Sequence, residues 1–179
     1  MPLDEVERLL DSPIHEARAG AVRILAEGAK ARGATDADRK ARADLYLRRL
    51  DRIDNWDLVD LGAWDVVGRY LIDHPRDVLD ELAGTDDLWS RRTAILATIA
   101  FIRIGQTDDA FRLAERLVDD PHDLIQKAVG GVLRYAGDAD RPRLEAFLAA
   151  HATTMPRTTL RYAIERLTPD ERAAWLARR

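Results

Sequence analysis

The chain has no cysteine among its 179 residues. That excludes a disulfide scaffold, Cys-ligated zinc and an iron–sulfur cluster. Apolar runs long enough to span a bilayer are also missing, and Asp4, Glu5 and Glu7 interrupt any signal-peptide pattern at the start. The expectation is a soluble, cytoplasmic protein. No Gly-rich phosphate loop, nucleophile elbow or Cys–His pair is present. His15-Glu16 is not followed by a second histidine at zincin spacing, so no metal site is expected. His74, His122 and His151 stand alone at helix edges or in loops and read as surface residues. Strand signals are nearly absent. Lysine is scarce too: of 28 basic residues only Lys30, Lys40 and Lys127 are lysines. Arginine suits phosphate recognition because its fork binds bidentately, although an Arg-rich codon usage is the plainer explanation of the ratio.

What is present is helix. Ser12-Pro13 has the form of an N-cap with proline in the first turn, opening a helix that should run to about Lys30 and stop at Gly33. Thr35 or Asp36 should start the next, through about Arg52, and Asn55 can cap a helix holding Trp56 to Leu61. Gly62-Ala63 is a candidate break or kink before the segment Trp64–Asp73. Further helices are expected at about 76–83, 86–104, 107–119, 122–136 (ended by Gly137), 141–151, 156–167 and 169–178. About ten helices joined by short turns predict an all-α array of helix pairs in a single domain of residues 1–179.

Three blocks recur at a nearly constant interval. Trp56 precedes Arg92 by 36 residues, and Arg92 precedes Gly131 by 39. The spacing falls just under the roughly 40–47 residues of a HEAT-type repeat, whose equivalent positions line one surface. In 86–104, Leu88, Ile95, Ile99 and Ile102 form an apolar stripe with Arg92 inside its arc. A charge there must find a partner or face a groove. In 122–136, Ile125, Val129, Val132 and Ala136 make the core stripe, while Lys127, Gly131 and Arg134 lie opposite; Arg157 and Arg161 share a face in 156–167. Net charge is −4, but residues 121–179 hold 10 basic against 7 acidic residues. A basic face is therefore compatible with an acidic chain.

The blocks SPIHEAR, NWDLVD, LWSRRTAILAT, DLIQKAVG and MPRTTLRYAIE, spread over about Val6 to Arg178, together resemble the AlkD-like family of DNA alkylation repair proteins. The resemblance implies a HEAT-like α-solenoid whose concave, basic surface holds duplex DNA. It also implies a monomer of the bacterial cytosol or nucleoid, needing no cofactor. The implied activity is a DNA glycosylase: hydrolysis of the N-glycosidic bond of cationic alkylpurines such as N7-alkylguanine and N3-alkyladenine. By the same resemblance the catalytic residues are Trp56, Asp60 and Arg92, and Gly131 stands at a groove position; with it, Arg91, Lys127, Arg134, Arg157 and Arg161 are the expected DNA-binding residues. Two departures stand out. The family's second groove tryptophan falls on Gly131, and the chain begins almost at SPIHEAR, about one repeat short of the family at the N-terminus. Reduced activity is the corresponding expectation.

The chemistry fits these residue types. An N-alkylated purine already carries positive charge and leaves without protonation, so the work left is to stabilise an oxocarbenium-like sugar and position water. Trp56 and Asp60 are four residues apart on one helix and can face one deoxyribose. A carboxylate about 4 Å from that cation is worth roughly 4 kcal/mol at an effective dielectric of about 20, or about three decades of rate. An indole face adds about 0.5–2 kcal/mol. Arg92 then either holds the phosphate beside the lesion or forms a structural ion pair. Trp64, Trp89 and Trp175 read as packing residues, and Gly130-Gly131 as a close approach of backbone to DNA or to a neighbouring helix. Two other functions fit the same residues: a non-catalytic module that binds damaged or branched DNA, and a protein-interaction scaffold.

Overall fold

The computed structural model describes residues 1–178. The described residues are all helical in class, with 74% of them in helix and helices packed on one another in the manner of an α-solenoid-type fold. Among the described residues there is no strand, and no helix is long and apolar enough to cross a membrane. The helices are α1 Leu3–Leu10, α2 His15–Lys30, α3 Asp36–Arg48, α4 Trp56–Gly62, α5 Asp77–Ala83, α6 Leu88–Ala97, α7 Asp108–Leu117, α8 Asp123–Ala139, α9 Arg141–His151, α10 Arg157–Ala163 and α11 Pro169–Ala177. They form two compact units, Met1–Ala100 and the segment from Phe101 onward.

In the first unit, α2 is the central element and packs on α1, α3 and α4. Its buried face is Ala21, Val22, Leu25, Ala26 and Ala29, small enough to let neighbours approach closely. Helix α3 starts where Thr35 and Asp38 form a reciprocal capping box. It ends at Arg48 rather than Arg52, and Leu50–Arg52 tightens into a 3₁₀ turn. Helix α1 has no counterpart among the expected helices. Only Val6 and Leu10 are buried in it, too short a stripe to read from periodicity. Three arginines near the end of α3 hold it in place. Arg48 pairs with Glu7 at 2.6 Å, Arg49 pairs with Glu7 and Asp11, and Arg52 donates to the carbonyls of Leu10, Asp11 and Ser12. The Arg52 contacts satisfy acceptors that a helix C-terminus leaves open.

Other boundaries shifted for local reasons. Helix α2 starts at His15, and the Ser12 hydroxyl accepts from the Ile14 N–H instead of capping α2 itself. The expected 86–104 helix is interrupted at Thr98, whose hydroxyl donates back to the Ile95 carbonyl at 2.6 Å; helical turns resume at Ile99–Ile102. Helix α8 runs through Gly137 to Ala139. That glycine is a packing device, because a Cβ there would sit 2.3 Å from the Leu144 side chain. After Gly62 the chain does not break but loosens into a π-helix, Ala63–Gly68. Gly62 is required at this point, since a Cβ would lie 2.5 Å from Tyr46 and 2.7 Å from Val22.

In the second unit the most extensive packing is between α8 and α10. Ile125, Val129, Val132 and Ala136 are all fully buried, as their stripe predicts. Gly130 sets the spacing: a Cβ there would lie 2.5 Å from the Thr159 carbonyl oxygen and 2.5 Å from the Tyr162 Cβ. The close approach of this glycine is therefore to a neighbouring helix.

Candidate active site

The site is built on α4. Asn55 accepts from the Trp56 N–H at 2.7 Å and starts the helix. Leu58 and Val59 are fully buried and turn one face of α4 inward. The opposite face carries Trp56 at the first helical position and Asp60 one turn later. Trp56 is 52% exposed, the most exposed tryptophan side chain among the large hydrophobics at the surface. An indole left in water beside a carboxylate is unusual on packing grounds alone.

Helix α6 supplies the partner. Arg92 donates from Nε to Asp60 Oδ1 at 3.0 Å, and from Nη2 to Oδ1 at 2.8 Å and to Oδ2 at 3.0 Å. The Arg92 side chain is 8% exposed and that of Asp60 35%. The apolar stripe of α6 thus tolerates its arginine because the charge is met by a carboxylate. Arg92 is committed to Asp60 and is not free to clamp a phosphate by itself. Asp60 Oδ1 takes two of the three bonds, so Oδ2 keeps room for another donor. Behind the pair, Tyr46 is fully buried and its hydroxyl lies 3.3 Å from Thr93 Oγ1; burial pushes the Tyr46 phenol well above its ordinary range.

Burial also raises the Asp60 carboxyl above its ordinary value. Arg92 opposes the shift through charge and hydrogen bonding without cancelling it, and the neighbouring Asp57 adds to it. A carboxylate raised in this way is a better proton acceptor than an ordinary aspartate. Asp57 has its own partner. His15 Nε2 lies 2.6 Å from Asp57 Oδ2, which ties the start of α2 to α4. Nothing in the separate blocks predicts this contact. Its only trace is that SPIHEAR and NWDLVD both place chemistry-bearing residues at helix starts.

Arg91, beside Arg92, donates to the Thr85 carbonyl at 3.1 Å. The remaining sequence-predicted residues lie in the second unit. Lys127 pairs with Asp123 at 2.6 Å along α8, and Arg134 pairs with Glu165. A Cβ at Gly131 would meet nothing within 4 Å, so the position where the resemblance puts an indole is open space. Arg157 donates to the Leu176 carbonyl at 2.6 Å and so closes the end of α11. Arg161 is exposed and lines a shallow hollow with Ile164, Glu165, Arg172 and Leu176. Of the lone histidines, His122 caps α8 by accepting from the Leu124 N–H, and His151 pairs with Glu115 at 2.8 Å. Among the described residues there is no cluster able to hold a metal ion.

A family model described as DNA alkylation repair enzyme matches residues 1–167. No curated protein matches the chain.

Proposed function

The chain belongs to the DNA alkylation repair enzyme family, and on that premise we propose that it is a DNA glycosylase acting on cationic alkylpurines in duplex DNA. The observation that carries the reading is the half-exposed Asp60 carboxylate, held by buried Arg92 and set one turn from exposed Trp56. An N7- or N3-alkylated purine departs with the electron pair of its N-glycosidic bond and becomes neutral. Positive charge passes to the sugar at C1′. Asp60 stabilises that charge and orients a water through Oδ2. The water oxygen bonds C1′, and its proton passes to the carboxylate or to solvent. The indole of Trp56 offers its π-face to the same cation.

Arg92 changes the size of the effect. A lone carboxylate at about 4 Å would contribute roughly 4 kcal/mol at an effective dielectric of about 20. With a guanidinium bonded to it, the pair acts partly as a dipole and its pull on the sugar is weaker. In return, Arg92 fixes the carboxylate geometry, so no reorganisation is required as charge develops. Arg91, Lys127, Arg134, Arg157 and Arg161 are proposed backbone contacts; such contacts carry affinity and salt dependence but no sequence information.

The test is release of 7-methylguanine from methylated duplex DNA by the purified protein. Release by the wild type, with loss in Asp60→Asn, supports the assignment; equal release by that variant refutes the role of Asp60. A second reading, a DNA-binding module without catalysis, is favoured by the open space at Gly131. Salt-sensitive duplex binding with no base release is the outcome that would establish it.

A further inference from the structure

Asp57 and Asp60 stand three residues apart on α4, and each is met by a basic side chain from a different helix. Arg92 of α6 holds Asp60, and His15 of α2 holds Asp57 at 2.6 Å. The two partners differ in kind. A guanidinium keeps its charge at every working pH. An imidazole is the side chain that gains and loses its proton nearest neutrality in ordinary surroundings. We propose that His15 and Asp57 form a positioning pair for Asp60: the imidazole anchors α4 and sets how much negative charge the reactive carboxylate has beside it. The inference rests on the glycosylase reading only for the role of Asp60 as the reacting group.

The geometry supports a direct coupling. Asp57 Oδ1 is buried with no hydrogen-bond partner among the described residues, so His15 is the one group seen compensating that carboxylate. The other charged and titratable groups facing the pair are engaged elsewhere. Arg18 of α2 is bonded to Asp54 at 2.9 Å and to the Ser12 carbonyl. Arg92 is on Asp60. Tyr46 of α3 is buried against Thr93. With His15 protonated, Asp57 and His15 cancel. With His15 neutral, Asp57 is an uncompensated like charge about one helical turn from Asp60. That repulsion is one cause of the raised Asp60 carboxyl.

The proposal makes the two halves of the pair act in opposite directions, which a purely structural contact would not do. Asp57→Asn removes the like charge and keeps a hydrogen bond to His15. Asp60 should then titrate lower. His15→Gln keeps a hydrogen bond to Asp57 but removes the cation, and Asp60 should titrate higher. Each shift should be about half a pH unit, the size that two like charges roughly 6 Å apart impose on one another in water.

The experiment follows the ¹³C carboxyl resonance of Asp60 against pH in the intact, DNA-free protein, for the wild type and both variants. Alongside it, the acid limb of 7-methylguanine release is measured on the same proteins. Opposite shifts of the resonance, mirrored in the acid limb, are the expected result. An unmoved resonance, or shifts of the same sign, overturns the pair. Opposite shifts of the resonance without base release from any of the proteins would uphold the pair and refute the glycosylase reading. Both replacements conserve a bond between α2 and α4; should one fail to fold, the other alone decides by the sign of its shift.

Discussion

Helices α4 and α8 carry positions two spacings apart in the sequence, Trp56 and Gly131, and they differ in what stands there. On α4 an indole projects into solvent next to a carboxylate with a buried counter-charge. On α8 the position where the resemblance puts a second indole is Gly131, with nothing within 4 Å of a Cβ. One helix carries an indole and a paired carboxylate; the other holds the room for an aromatic without the aromatic. The difference separates two requirements that single residues often blur. Space at a surface is set by packing, and Gly130 supplies that by letting α10 come close. Chemistry is set by the side chain placed in the space. The first unit has 15 basic against 20 acidic residues and the second 13 against 12. The proposed reacting group thus lies in the more acidic unit.

The comparison breaks first at Asp60. Asp60→Asn keeps an acceptor for Arg92 but removes the charge, and base release should fall by up to about three decades. Because burial raises the Asp60 carboxyl, the acid limb of release should lie above the ordinary aspartate value of about 3.9. The sign for stability is opposite to that of an ordinary salt-bridged carboxylate. A raised group contributes stability while protonated and loses it as pH rises through its folded value. A thermal melt followed over the same pH range should show that component decreasing as Asp60 ionises.

Trp56→Ala is next. Loss of an indole worth about 0.5–2 kcal/mol should lower release about tenfold, read in single-turnover kinetics, with little cost to the fold because the side chain is half in water. Gly131→Trp is the complementary gain. Placing an indole in the open position should tighten binding to duplex DNA up to about tenfold, measured by titration at fixed salt. The smallest effect separates the two adjacent glycines. Gly130→Ala must displace the Thr159 carbonyl or Tyr162 and should destabilise the protein by about 1–3 kcal/mol. Gly131→Ala meets no obstacle and should stabilise it by about 0.5–1 kcal/mol. Chemical denaturation of the two variants side by side checks the contrast.

The helical class and most helix positions were legible in the chain, because apolar stripes such as Ile125, Val129, Val132 and Ala136 report a buried face directly. Boundaries were less so. Gly137 looks like a stop but is a contact with Leu144, and Thr98 looks like part of a helix but its hydroxyl donates to the Ile95 carbonyl three residues back. Both depend on a neighbour or a rotamer that the local pattern does not encode. Arg92 was legible as a charge needing a partner. That the partner is Asp60, 32 residues away, follows only once α4 and α6 are packed. The His15–Asp57 contact was not legible, since neither residue breaks a pattern in its own helix.

The central claim is that the ionised Asp60 carboxylate drives base loss. It is tested most directly by single-turnover release of 7-methylguanine across pH, wild type against Asp60→Asn. The account predicts a rate in the wild type that rises through one ionisation and then levels, and a low, pH-independent rate in the variant. Equal rates, or the same acid limb in both proteins, would contradict it.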